Sequence, residues 1–354
     1  MFMVRKGCCK VVVLSVIVPV YNMAKDGNLE YCMNSLVNQT LEGMEIIAVD
    51  DASTDNSLEI LRNFEKKYPE RVRVIASPEN KRQGGARNLG LKEANGQYIG
   101  FMDADDWAAL DLFEKMVKLA ESTGADAVGT DMCRVYEHTM VPTEREVCNE
   151  MSQTGILDYN KRKDYLLTPG PVVTKIYKRE IFFDKDFSFP EHMSYEDNAV
   201  VLELAMRINH YEHLPEAGYF YYQHDDSTTH FISLKKCQDR MEAMRIMLRY
   251  ARENGSLEEY REVIEYKFSI LFYVTTLFSY MQGSNKIDAR YIKKLGKEML
   301  ETFPDFRNNT YYNEKINDYE QKLINLQLKS TFAFIIVYKL KQISKKIKSK
   351  KSNK

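Results

Sequence analysis

Two acidic clusters stand immediately after short apolar runs. Glu45-Ile46-Ile47-Ala48-Val49 leads into Asp50-Asp51-Ala52-Ser53-Thr54-Asp55, and Tyr98-Ile99-Gly100-Phe101-Met102 leads into Asp103-Ala104-Asp105-Asp106-Trp107. Each run reads as a buried strand. Carboxylates gathered at the ends of such strands are costly unless a cation or hydrogen-bond donors meet them. In open α/β sheets that carboxyl edge is where ligands bind. The pair therefore points to a metal-dependent nucleotide site.

Further groups could share that edge. Pro19-Val20-Tyr21-Asn22 closes an earlier apolar run. Tyr21 could stack on a pyrimidine and Asp51 could accept its imide N–H; alternatively, Tyr21 is a turn residue and Asp51 belongs to helix-capping chemistry. In Gln83-Gly84-Gly85-Ala86-Arg87-Asn88 the glycines could turn backbone N–H groups toward an anion at a helix start, with Arg87 as a fixed cation; an ordinary glycine turn has the same composition. Asp103 and Asp105, two residues apart on a chain leaving a strand, can aim at one hard cation, Mn²⁺ or Mg²⁺, bridging a diphosphate, or form a solvated turn. Glu196-Asp197 opens an apolar stretch. One of the two could deprotonate an acceptor hydroxyl, or both could simply favour a helix N-terminus. His224 could ligate the metal or touch the diphosphate, and Ser227 could donate to a phosphate; a structural histidine is the plainer reading.

The elements that must position these groups alternate. Strands are expected at Val11–Pro19, Glu45–Val49, Val72–Ile75, Tyr98–Met102 and Asp126–Gly129. Between them, helical periodicity marks Leu29–Gln39, a stretch with Leu58, Leu61 and Phe64 on one face, Gly84–Ala94 after its glycine turn, and Leu112–Ser122. Strand–helix alternation over 11–135 means βαβ units and a mostly parallel sheet flanked by helices. Residues 136–230 read as mixed with long loops, and 235 to about 328 as mainly helical, with Phe268–Met281 a buried helix.

The chain has 354 residues, 44% of them apolar, enough for one large domain or one plus a smaller one. Fifty Lys and Arg against 51 Asp and Glu leave no bulk bias toward nucleic acid. Six cysteines without repeated CxxC spacing suggest free thiols in a reducing compartment. Val11–Val20 contains Pro19 and runs into a turn, so it reads as a strand rather than a leader. No apolar run reaches the roughly 18 residues needed to span a bilayer.

Taken in order, Ser15-Val16-Ile17-Val18-Pro19-Val20-Tyr21-Asn22, Val49-Asp50-Asp51-Ala52-Ser53-Thr54-Asp55, Gly84-Gly85-Ala86-Arg87-Asn88-Leu89-Gly90, Asp103-Ala104-Asp105-Asp106 and Glu196-Asp197 resemble the motifs of family 2 glycosyltransferases with the GT-A fold, which build bacterial surface polysaccharides. The close match covers residues 11–110; a looser one reaches about 230 and includes Thr174-Lys175-Ile176-Tyr177-Lys178-Arg179. The resemblance implies a Rossmann-like GT-A domain over 1–230, with a nucleotide-binding half at 11–135 and an acceptor half at 136–230, then a helical region at 231–330. It implies a nucleotide-diphosphate sugar donor, most often a UDP-sugar, and an inverting in-line displacement. Pro19, Tyr21, Asn22, Asp51, Gly84, Arg87, Asp103 and Ala104 would serve the nucleotide. Asp105, Asp103 and His224 would serve Mn²⁺ or Mg²⁺, His224 and Ser227 the diphosphate, and Asp197, with Glu196 beside it, would be the base. Thr174 stands where the family often has Asn, and Tyr222-Gln223-His224 stands where many members carry Tyr-Arg.

No Asp or Glu follows Glu320, and eight lysines lie between Lys339 and Lys354. Phe332, Ile336, Leu340, Ile343 and Ile347 fall at helical spacing among them. Residues 331–354 thus read as a basic amphipathic tail lying on a membrane surface, or as a solvated tail on a docked helix. The surface reading fits a glycan or lipid-linked acceptor at the inner, cytoplasmic face of the cell membrane. The helical region could also support a homo-oligomer. A nucleotidyltransferase making nucleotide sugars would need an early G-x-G-T-R-type signature, absent near Val18; an inactive GT-A assembly partner would not need Asp103, Asp105, Glu196 and Asp197.

Overall fold

The computed structural model describes residues 11–183, 187–223, 233–284 and 286–352, with side chains described to 343. The chain divides into two compact units, residues 1–227 and 228–354.

The first unit is built in chain order from β1 (Leu14–Val20), α1 (Asn28–Val37), β2 (Met44–Asp50), α2 (Ser57–Lys67), β3 (Val72–Ala76), α3 (Arg82–Glu93), β4 (Tyr98–Phe101), β5 (Trp107–Ala108), α4 (Leu112–Thr123) and β6 (Ala127–Val135). There follow β7 (Glu144–Glu146), β8 (Gly155–Ile156), α5 (Tyr159–Leu167), β9 (Lys175–Lys178), α6 (Glu180–Phe183), α7 (Glu196–Arg207) and β10 (His210–Tyr222). The sheet order is β3-β2-β1-β4-β9-β6-β10-β5. Strands β3, β2, β1 and β4 run parallel, as do β6 and β10. Between the two sets β9 runs antiparallel to β4 and β6.

The parallel strands are apolar on both faces because helices cover both. All seven residues of β1 are buried. On one face Val16, Val18, Ile46, Ala48 and Val128 pack with Leu29, Met33 and Leu36 of α1 and Phe113, Met116 and Val117 of α4. This strand begins at Leu14 rather than Val11, whose side chain is 65% exposed.

Two strands exceed what their sequences suggest. β6 continues past Gly129 through Thr130 and Asp131, which are fully buried. Asp131 is satisfied there by Arg145 Nε at 2.7 Å and the Cys148 N–H at 2.9 Å. β10 contains Pro215 and Glu216 and shifts register twice between Leu214 and Tyr219. A bulge lets a proline sit inside a long strand, which is why this stretch looks like loop in sequence.

The second unit holds α8 (Leu234–Glu253), α9 (Ser256–Glu259), α10 (Arg261–Phe268), α11 (Thr276–Gly283), α12 (Ala289–Thr302), α13 (Thr310–Lys315), α14 (Asp318–Lys329) and α15 (Thr331–Ser352). The expected single helix over Phe268–Met281 is instead two α-helical pieces joined by a π-helical turn at Ser269–Thr275. Thr276 Oγ1 donates to the Leu271 carbonyl, five residues back, at 2.9 Å. That hydroxyl supports the wider backbone spacing.

Candidate functional site

Parallel pairing brings the first two motifs side by side, with Val20 opposite Asp50 at the carboxyl ends of β1 and β2. The chain leaving β1 crosses onto the loop leaving β2. Asn22, at φ 54°, donates its N–H to Ser53 Oγ at 3.0 Å and accepts from the Thr54 N–H at 2.8 Å. Met23 N–H reaches Ser57 Oγ at 2.7 Å and Ala24 N–H reaches Asp55 Oδ2 at 3.0 Å. The amide of Asn22 thus ties the two loops together. Tyr21 projects from that platform, 46% exposed. Asp51 is only 2% exposed; its Oδ1 accepts the Lys81 N–H at 2.8 Å, while Oδ2 is buried with no hydrogen-bond partner among the described residues. Burial raises its pKa, opposed by the backbone donors of Lys81 and Arg82.

The glycine motif does not form a loop: Gly84, Gly85 and Arg87 lie within α3. The helix instead grips the segment that leads into Glu196. A Cβ on Gly84 would stand 2.1 Å from the Pro190 carbonyl oxygen, so only glycine admits that approach. Asn88 clamps Phe189 from both sides, its amide donating to the Phe189 carbonyl at 2.8 Å and accepting the Phe189 N–H at 2.9 Å. Lys81 Nζ pairs with Glu191 at 3.2 Å, and Arg82 reaches Ser194 Oγ at 3.1 Å. The segment ends at Tyr195, whose φ of 65° is unusual for a bulky residue. Glu196 and Asp197 then open α7.

Arg87 joins that pair to the second acidic cluster. It is 3% exposed; Nη1 lies 2.5 Å from Glu196 Oε1 and Nη2 lies 3.3 Å from Asp103 Oδ1. Its guanidinium also faces Phe189 and Phe101, 5.5 and 5.8 Å from the ring centroids. Asp103, Ala104 and Asp105 follow β4, with Ala104 buried and both aspartates half-buried. Asp106 is consumed structurally: it accepts the Tyr219 hydroxyl at 2.5 Å and the Tyr222 N–H at 2.9 Å, anchoring the cluster to β10.

The sequence profile of glycosyl transferase family 2 matches residues 15–184, and a Haemophilus influenzae glycosyltransferase is 32% identical over 197 residues, covering 54% of this chain and 70% of that protein. The chain belongs to glycosyl transferase family 2. The uncharacterised glycosyltransferase EpsJ of Bacillus subtilis is 32% identical over 222 residues, an alignment covering 61% of this chain and 62% of EpsJ. TarS, a poly(ribitol-phosphate) β-N-acetylglucosaminyltransferase of Staphylococcus aureus, is 28% identical over 211 residues, 58% of this chain and 35% of TarS. A TarS crystal structure shares the fold, with a TM-score of 0.64 at 24% identity over 89% of this chain and 55% of that one. A 1–349 form of TarS has been crystallised with UDP-GlcNAc.

In this family 2 chain the central carboxylates carry surplus negative charge. Asp103 is pushed up to about 6 by burial, against the pull of Arg87 and with the help of Asp105 and Asp197. Glu196 is also raised by burial, although Arg87 opposes it. Among the described residues no three His, Cys, Asp or Glu side chains form a ready metal cage. Two carboxylates on one loop, one of them held above its usual range by burial and by the neighbouring Asp105 and Asp197, do fit a cation of the Mg²⁺ type. Such cations are held by one or two carboxylates with substrate phosphates completing the shell.

Of the residues expected at a site, Arg87 contacts Asp103 and Glu196, Asp105 and Asp197 closely follow those two in the chain, and Tyr21 and Asp51 directly follow β1 and β2; what joins them was not legible beforehand. Asn88, Pro190, Tyr195 and Tyr219 carry no chemical signature of their own. Only the glycine pair ahead of Arg87 and Asn88 hinted at a close backbone approach. His224 and Ser227 lie outside the described residues.

Proposed function

We propose that this chain is an inverting, divalent-cation-dependent glycosyltransferase using a UDP-sugar, with a glycan or lipid-linked acceptor of a cell-surface polysaccharide. The observation that carries the reading is Arg87, which ties the Asp103 loop to the start of the helix that carries Glu196 and Asp197. Asp51 Oδ2, buried and without a hydrogen-bond partner among the described residues, suits the imide N–H of uracil, and the exposed ring of Tyr21 suits stacking on that base. The relative TarS, named as a poly(ribitol-phosphate) β-N-acetylglucosaminyltransferase and crystallised with UDP-GlcNAc, supports a UDP-sugar donor and a polymeric acceptor.

On this reading Asp103 serves the ribose and, with Asp105, holds Mn²⁺ or Mg²⁺; His224 and Ser227 are assigned to the metal and diphosphate. The chemistry a cation supplies there is neutralisation of the leaving diphosphate. Asp197 takes the proton from the acceptor hydroxyl as its oxygen attacks the anomeric carbon. The bond from that carbon to the diphosphate oxygen breaks, and the nucleoside diphosphate leaves from the opposite face. Glu196, neutralised by Arg87, fixes the helix start that presents Asp197. We assign the catalytic domain to 1–230, the helical region to 231–330 and the tail to 331–354, and read the basic tail as holding the enzyme at the inner face of the cell membrane.

The test is a panel of sugar nucleotides with Mn²⁺ and purified protein, reading nucleotide release with and without acceptor glycan. One donor should be turned over, and Asp197→Asn should lower its turnover by roughly 100-fold or more, the scale of a lost general base. Undiminished transfer by Asp197→Asn would remove the base assignment.

A further inference from the structure

The last helix, α15, has two apolar sides. Phe334 and Tyr338 are turned inward: Phe334 is fully buried, Tyr338 is 8% exposed, and its ring lies 6.1 Å from that of Phe278. They fasten the helix to its own unit. Roughly half a turn away, a second apolar stripe faces outward. Phe332 is 72% exposed, Leu340 61% and Ile343 55%, with Ile336 and Val337 also open. A helix docked on one side ordinarily presents polar residues on the other. Four exposed apolar side chains in register, Phe332, Ile336, Leu340 and Ile343, instead mark a surface that something covers.

The charge around the stripe says what. Lys339 is exposed beside it, while Lys341 lies toward the docked side with its Nζ over the Tyr319 ring. The remaining sequence adds Lys345, Lys346, Lys348, Lys350, Lys351 and Lys354 with no acidic residue after Glu320. A second copy of this stripe would bring lysines against lysines, which repel. An anionic lipid surface meets both features, taking the apolar side chains among its acyl chains and the ammonium groups among its head groups. Among the described residues no helix is long and apolar enough to cross a membrane, so the geometry is that of a helix lying along the surface.

We propose that the outward stripe of α15 is a docking face for an anionic bilayer. This deepens, and rests on, the reading of the chain as a transferase working at a membrane, yet its readout is independent of sugar transfer. The experiment uses the full chain with extruded vesicles of phosphatidylcholine alone or with phosphatidylglycerol, scored by flotation. Binding is expected only with phosphatidylglycerol and is expected to weaken as salt rises. Ile336→Ser/Leu340→Ser/Ile343→Ser should reduce partitioning by about tenfold or more, with unchanged circular dichroism and unchanged donor turnover without lipid. Binding unaffected by the triple substitution would overturn the proposal. So would failure to float together with self-association in sedimentation that the triple substitution abolishes, which would assign the stripe to a second copy. No turnover of any donor by the wild-type protein, while it still floats with phosphatidylglycerol, would instead count against the transferase reading and leave the docking face standing.

Discussion

Arg87→Met tests the central tie of the site. Methionine keeps most of the aliphatic volume and removes the guanidinium. In the wild type the charge sits 2.5 Å from Glu196 Oε1 and 3.3 Å from Asp103 Oδ1, with Arg87 and Glu196 each 3% exposed. Removing one member of a buried ion pair strands the other, at a cost of roughly 3–5 kcal/mol. Asp103 adds less, because its side chain is 28% exposed and partly screened. Glu196 has one escape, which is to take up a proton. Burial already raises its pKa, and losing Arg87 raises it further. A carboxyl with a raised folded-state pKa binds a proton that the unfolded chain has released, so stability falls as pH rises above the unfolded value. The cost of Arg87→Met should therefore be greatest near pH ~8 and shrink toward pH ~5. Urea unfolding at both values measures it. Glu196→Gln in the Arg87→Met background should recover stability at the higher pH, so that the double-mutant cycle shows coupling above about 1 kcal/mol. A single-mutant cost below about 1 kcal/mol, a cost independent of pH, or strictly additive substitutions would each refute the claim that Arg87 and Glu196 act as a buried pair.

Two further outcomes follow from packing and burial. Gly84→Ala sets a methyl group 2.1 Å from the Pro190 carbonyl; it should destabilise by roughly 1–3 kcal/mol and depress transfer further by moving the Glu196-Asp197 segment, and wild-type stability and turnover together would sink the clamp argument. Lys175, 2% exposed with Nζ donating to the Pro171 carbonyl at 3.0 Å, is brought down to about 7 by burial. Between that value and its usual one the unfolded chain holds a proton that the folded chain has lost, so this group adds stability as pH rises. Lys175→Met should abolish that alkaline gain, a few kcal/mol at most, and a difference between the two proteins that does not change from pH ~7 to ~10 would contradict it.

Much of the nucleotide half was legible in the residues themselves. Apolar runs too short for helices, each ending in Asp, announce strands buried on both faces with polar ends at one edge. That logic is local, because burial of a strand and the cost of a carboxylate depend on nearby side chains. It carried Tyr21, Asp51, Asp103 and Asp105 to one edge. It also carried the helical character of the second unit, the outward stripe Phe332, Ile336, Leu340 and Ile343, and the family.

The partnerships were decided only by tertiary structure. Whether Arg87 meets a phosphate or two carboxylates depends on where Glu196 sits, more than a hundred residues later, and no local pattern encodes that distance. Gly84 and Gly85 looked like an anion loop because glycine serves equally where a ligand or another backbone comes close; the Pro190 carbonyl decides between them. Asp106 looked like a member of the acidic cluster, yet the hydroxyl of Tyr219 and the N–H of Tyr222 claim it. The sequence by itself determined which chemistry could gather at the sheet edge, through the types of residue that end buried strands. Which carboxylates stay available for that chemistry, and which are spent holding the fold, was settled by long-range packing, because a buried charge takes its character from whatever reaches it in space.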